Sequence, residues 1–146
     1  MAKDKHYIAL QSMYLAAPIN KFYEPAISVS EGQSEIEIKL DEKYFHAANA
    51  VHGSVYFKML DDAAFFAVNS LEREVFVLTT SFTTYITRPV SSGVMKAIGK
   101  VVNSNKSQFI AESIAYNAEG KEIARGSGIF VRGKYLLADV PAYHTA

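Results

Sequence analysis

From residue 75 onward, apolar and polar positions alternate with a period of two, and in the stretch before that they do not. In "VFVLTTSFTTYITRP", Phe76, Leu78, Thr80, Phe82, Thr84 and Ile86 alternate against Val77, Thr79, Ser81, Thr83 and Tyr85, which predicts a strand that Pro89 ends. "GVMKAIGKVV", "SQFIAESIAYNA" and "KEIARGSGIFVR" read as three further strands of an antiparallel meander. Asn103 to Lys106 and Glu119-Gly120 supply the turns between them. Nearer the N-terminus, "AISVSEGQSEIEIKL" reads as a hairpin about Glu31-Gly32-Gln33, with Ile36, Ile38 and Leu40 on one face.

Two segments follow the helical period instead. Tyr7, Leu10, Tyr14 and Leu15 predict a short amphipathic helix over about residues 3–17, closed by Pro18 and lying over a core or groove. A second helix runs from Gly53 to about Leu71, and its apolar residues from Val55 to Val68 occupy every side of a helical wheel. Such a helix is buried all round. Five or six antiparallel strands curling around it satisfy the rule that each apolar face finds a partner. The expectation is one α+β domain over residues 1–146, with a short tail from about 134 to 146 that docks on a partner surface.

Composition narrows the function classes. Fifteen basic and fifteen acidic residues leave no net charge, without the basic excess that a phosphate backbone attracts, so nucleic acid is not the expected partner. No stretch of about 18 apolar residues lacks a charge, so no membrane span is expected. The first residues form no clear secretory signal, and the expected compartment is the cytoplasm. With no cysteine and four scattered histidines, neither a thiolate nucleophile nor a metal site is expected.

The anomaly is a pair of carboxylates, Asp61 and Asp62, in the middle of the most apolar helix. They project about 100° apart, so they face different neighbours. Lys58 stands three and four residues before them, and one intrahelical ion pair accounts for Asp62 while leaving Asp61 free. At the helix start, His52-Gly53-Ser54 leads into backbone amides that lack intrahelical partners. Together with the helix dipole they suit an oxyanion, and glycine lets a substrate approach closely. Eight residues, or about 12 Å of helix, separate Gly53 from Asp61. One carbonyl cannot touch both, so a joint site requires two subunits.

At this point "NAVHGSVYFKMLDDAAFFA" resembles the helix signature of hotdog-fold acyl-CoA thioesterases, of the phenylacetate-pathway type within the 4-hydroxybenzoyl-CoA thioesterase superfamily. That signature is roughly G-x-x-H-G-G-x-x-x-x-L-x-D; His52 and Gly53 match, and Asp61 falls nine residues after the histidine. The likeness extends through "YITRPV" and "AEGKEIARGSGIFV" and implies a sheet wrapped around one helix, in homodimers usually paired again into homotetramers. It departs at Ser54 and Asn49, where the signature has glycine, and at His46, where asparagine is common.

The resemblance implies hydrolysis of an acyl-CoA or acyl-carrier-protein thioester with no cofactor, coenzyme A being part of the substrate. Asp61 would serve as general base or nucleophile, the Gly53 amide, supported by His52, would polarise the carbonyl, and Thr79 or its neighbour Thr80 would help hold water. His46, Asn49, Ser54 and Asp62 would lie at the substrate, and Arg88, Lys106 and Arg132 would meet coenzyme A phosphates. The alternatives are an acyl-CoA-binding module without turnover and, more remotely, an enoyl-CoA hydratase or dehydratase, whose Asp-x-x-x-x-His arrangement this chain lacks.

Overall fold

The computed structural model describes residues 4–145. The chain opens with α1 (Lys5–Ala16), a single-turn α2 (Asn20–Tyr23) and a hairpin of β1 (Ala26–Ser30) and β2 (Gln33–Lys39). The long helix α3 (Gly53–Leu71) follows, then β3 (Val75–Ile86), β4 (Val94–Ser104), β5 (Phe109–Tyr116) and β6 (Glu122–Leu136). All six strands form one antiparallel sheet in the order β1-β2-β4-β5-β6-β3, so β4, β5 and β6 are the meander and β3 is an edge. This is the hotdog architecture, a curved sheet around one helix.

Local chemistry sets the boundaries. Asp4 caps α1 by accepting from the His6 N–H. The β1–β2 turn is Glu31-Gly32, with Gly32 at φ 70°, a backbone that glycine adopts without a side-chain clash. Asn69, buried near the end of α3, donates to the Glu72 and Val75 carbonyls and accepts from the Val77 N–H, which locks the step from helix to β3.

The helix lies unusually close to the sheet. A side chain at Gly99 of β4 would overlap the Ala63 carbonyl, and the buried hydroxyls of Ser34 and Ser113 donate to the Ala63 and Leu60 carbonyls, each at 2.7 Å. These serines give α3 a second hydrogen-bonded seam in a core otherwise made of Ile36, Ile38, Met59, Leu60, Met95 and Ile123.

Three expectations need correction. Helix α3 is not enclosed all round: Ser54, Phe57, Lys58, Asp61, Asp62 and Phe65 form a stripe that the sheet leaves uncovered. Strand β3 does not alternate throughout, because a bulge at Thr80 switches the inward set from Val77 and Thr79 to Phe82 and Thr84, and Leu78 is half exposed. In α1, Leu15 faces outward while His6 and Met13 take inner positions. Within its own chain the tail is packed as well: Lys134 to Leu136 extend β6, Leu137 is buried, and the Tyr143 hydroxyl bonds the buried His6 ring. Among the described residues no helix is long and apolar enough to cross a membrane.

Candidate active site

The uncovered stripe of α3 carries both carboxylates, and the fold gives them different partners. Asp61 faces β3, where the Thr79 hydroxyl donates to its Oδ1 at 2.9 Å. Asp62 faces α1: its Oδ2 accepts from Lys58 Nζ at 2.6 Å and from the Tyr14 hydroxyl at 2.6 Å. Lys58 is thus committed to Asp62, with its ammonium resting over the rings of Tyr14 and Tyr23.

Burial pushes the Asp61 carboxyl up to about 6, a rise that the Asp62 charge supports and that Thr79 and Lys58 oppose. The Tyr14 hydroxyl is driven far above its ordinary range, first by burial and then by the Asp62 carboxylate, so it stays a donor. Asp61 therefore combines a raised proton affinity with one oxygen held by a hydroxyl. It lines a cleft of about 240 Å³ between α1, α2, α3 and β3, with Phe65 and Phe76 as apolar walls.

A second cleft, of about 340 Å³, opens at the start of α3 and is lined by Gly53, His46, Tyr56, Ile86 and Arg88 among others. Here His52 is the N-cap, its Nδ1 accepting from the Ser54 N–H at 3.0 Å. That bond places the ring proton on Nε2 when His52 is neutral. Among the described residues the Gly53 N–H has no acceptor, whereas the Ser54 N–H is spent on His52 and the Val55 N–H on the His52 carbonyl. The uncommitted donor at the helix start is therefore the Gly53 amide.

The departures from the signature have a structural reading. Asn49 sits at φ 63°, the left-handed region that glycine and asparagine enter most readily, so asparagine here preserves the loop. His46 closes that loop, its Nδ1 accepting from the Ala48 N–H and its carbonyl from the Asn49 N–H. Ser54 projects its hydroxyl to His52 Nδ1 at 2.8 Å.

The structure thus groups Asp61, Asp62 and Thr79 in one place, and Gly53, His52, His46, Asn49, Ser54 and Arg88 in another. Thr80 joins neither, since its hydroxyl donates to the Ile129 carbonyl on the exposed side of the β3 bulge. Lys106 and Arg132 stand at the opposite end of α3 from Arg88. Arg132 pairs with Glu72, the C-cap of that helix, and also donates to the Lys106 carbonyl. They form no common phosphate site with Arg88 within one chain. Tyr14 is the member that sequence reasoning missed, because nothing in its spacing reveals a partner forty-eight residues away.

Comparison with known proteins bears on the fold and the family. The solved structures most like it include the PaaI protein from the phenylacetic acid degradation operon of E. coli, with TM-score 0.80 and 20% identity over 91% of this chain and 99% of that one. A thioesterase family protein from Silicibacter pomeroyi gives 0.75 and 23% identity over 86% and 99%. By sequence, a protein of Saccharolobus solfataricus provisionally named an esterase is 22% identical over 103 residues, 70% of this chain and 69% of its own length. The model of the thioesterase superfamily matches residues 48–124, which contain α3, its His52 cap, Asp61 and Thr79. With more than half of its 146 residues matched, the chain belongs to the thioesterase superfamily.

Proposed function

We propose that the protein hydrolyses an acyl-coenzyme A or acyl-carrier-protein thioester, and that its active site is shared between two subunits. The observation that carries the reading is Asp61, half-buried, bonded to Thr79 and raised to about 6, beside an apolar cleft. A carboxylate of that kind is ionised at neutral pH yet basic enough to take a proton from water. The water oxygen attacks the thioester carbonyl, its proton passes to Asp61, and the carbonyl oxygen takes up negative charge. Collapse of that intermediate breaks the C–S bond and releases the acid, and the departing thiolate sulfur takes the proton from Asp61, which returns to its carboxylate form.

The developing oxyanion needs a donor within about 3 Å, which the Gly53 amide of the same chain, about 12 Å along the helix, cannot provide. Gly53 of the partner subunit is the proposed donor. Strand β3 supports this reading: it is a twelve-residue edge whose outer backbone groups have no strand beside them among the described residues, with Leu78, Tyr85 and Ile86 exposed along it. An edge of that length and character is prone to pair with another chain. Arg88, at the mouth of the Gly53 cleft, is the proposed contact for a coenzyme A phosphate, with no cofactor required. Coenzyme A thioesters being cytoplasmic metabolites, the cytoplasm is the proposed place of work.

Thiol release from a panel of acyl-coenzyme A thioesters tests the proposal. Asp61→Asn should lower the rate by about 10²–10⁴-fold. Gly53→Pro deletes the amide proton at the helix position where proline is tolerated best. Mixing inactive Asp61→Asn and Gly53→Pro subunits should restore one intact site per mixed dimer; no recovery, with both variants folded and dimeric, sinks the shared site.

A further inference from the structure

Lys58 precedes both carboxylates by about one helical turn, and at either spacing a lysine can pair with an acid. The fold gives it to Asp62, at 2.6 Å. The two side chains of that pair are 13% and 19% exposed, so solvent and salt screen the ammonium weakly and its position matters to the neighbouring carboxylate. Burial sets the raised proton affinity of Asp61, and the Lys58 charge works against it even from its place on Asp62. An ammonium moved onto Asp61 itself would favour the ionised form much more strongly and leave a weaker base.

Two tyrosine rings favour the Asp62 side. The Lys58 ammonium lies 5.4 Å from the centre of the Tyr14 ring and 5.1 Å from that of Tyr23, within reach of a cation–π attraction to each. The Tyr14 hydroxyl donates to the same Asp62 oxygen as Lys58, which fixes the carboxylate beside the rings. Tyr23 is braced in turn: its ring stacks on that of the buried Tyr44 with centroids 5.2 Å apart, and the Tyr44 hydroxyl donates to the Tyr23 carbonyl at 3.1 Å. The groups that act on Asp61 are Thr79 from β3, Tyr14 from α1, and Asp62 and Lys58 from its own helix, and Lys58 is the cation among them.

We propose that Asp62 and Tyr23 are positioning residues: with the Tyr14 ring they hold the Lys58 ammonium away from Asp61, so that Asp61 keeps its capacity to take a proton from the attacking water. This rests on the thioester-hydrolase reading. It gives the second carboxylate of α3 a task of its own, as the counter-charge that draws the helix's lysine off the first. It also makes the N-terminal segment, which brings Tyr14 and Tyr23, a contributor to the chemistry without contact with the reacting atoms.

The test follows the titration of Asp61 through its side-chain carboxyl ¹³C resonance, identified by its loss in Asp61→Asn, together with the acid limb of kcat/KM for a hydrolysed acyl-coenzyme A. In Tyr23→Leu, which removes one ring, both midpoints should move to lower pH by about half a pH unit. Tyr23→Phe keeps the ring and should titrate as the wild type does. Adding Lys58→Met to Tyr23→Leu should return the midpoint to that of Lys58→Met alone, because the displaced ammonium is then missing. A second cycle leaves the tyrosines intact and serves if Tyr23→Leu fails to fold: Lys58→Met should raise the Asp61 midpoint by more in the Asp62→Asn protein than in the wild type. A Tyr23→Leu midpoint equal to the wild type, a shift that persists without Lys58, or equal increments in the second cycle overturns the positioning role and leaves the hydrolase reading standing. Failure of every thioester to release thiol, which the kinetic assay shows independently of the titrations, overturns that reading and with it the purpose assigned to Asp62 and Tyr23.

Discussion

The Thr79 hydroxyl meets Asp61 Oδ1 at 2.9 Å across the gap between β3 and α3, and this bond joins two residues eighteen positions apart. It supplies a partner for a carboxylate that burial destabilises in its charged form, and it does so from a strand whose bulge at Thr80 turns the next hydroxyl away.

Thr79→Val keeps the shape of the strand and removes that donor. Because the bond favours the ionised form, its loss should raise the Asp61 carboxyl further above about 6. The acid limb of the kcat profile, centred near pH 6 in the wild type, should move to higher pH. An unmoved limb with reduced activity would assign Thr79 some other task.

Asp62→Asn should move the same limb the opposite way. The Asp62 charge raises Asp61, and Lys58, released from its ion pair, pulls Asp61 down as well. Activity should fall less than in Asp61→Asn. The Tyr14 hydroxyl retains an acceptor in the amide oxygen, so α1 should stay docked, which far-UV circular dichroism and thermal unfolding would check.

Asp61 should cost the fold stability where it is charged. Its folded pKa lies above the unfolded value of 3.8, so the folded state holds the proton longer, and stability falls as pH rises from about 4 to about 6 and stays reduced beyond. Asp61→Asn should therefore stabilise the protein at pH 8 and have little effect at pH 3.5. Each tenfold difference in proton affinity between the folded and unfolded chain corresponds to about 1.4 kcal/mol, and partial solvation of the carboxylate reduces the gain to on the order of 1–2 kcal/mol. Denaturant unfolding at the two pH values measures it; equal gains at both would contradict the electrostatic origin.

Gly99→Ala should destabilise by about 1–3 kcal/mol or more, since the added methyl overlaps the Ala63 carbonyl and forces α3 off the sheet. Asp61 rides on that helix next to Thr79, so hydrolysis should weaken along with stability. A neutral effect in thermal unfolding would mean that the close seam between helix and sheet relaxes without strain.

Apart from the single turn of α2, the elements and their order were legible along the chain. Period-two alternation marked β2, β4, β5 and β6, the turn residues marked their connections, and the apolar run after Gly53 marked α3, because hydrophobic spacing and backbone preference act over a few neighbouring residues. The two carboxylates were separable at that level too, since Lys58 lies within one helical turn of Asp62 and their angular offset follows from helix geometry. What stands around them depends on segments far away in the chain. Packing in three dimensions brought Tyr14 to Asp62, chose Thr79 over Thr80 through a bulge, left one stripe of α3 uncovered, and folded the C-terminal tail onto His6. A bulge inserts one residue without altering the alternation read along the strand, and a side chain such as Tyr14 finds its partner only among atoms that packing places beside it.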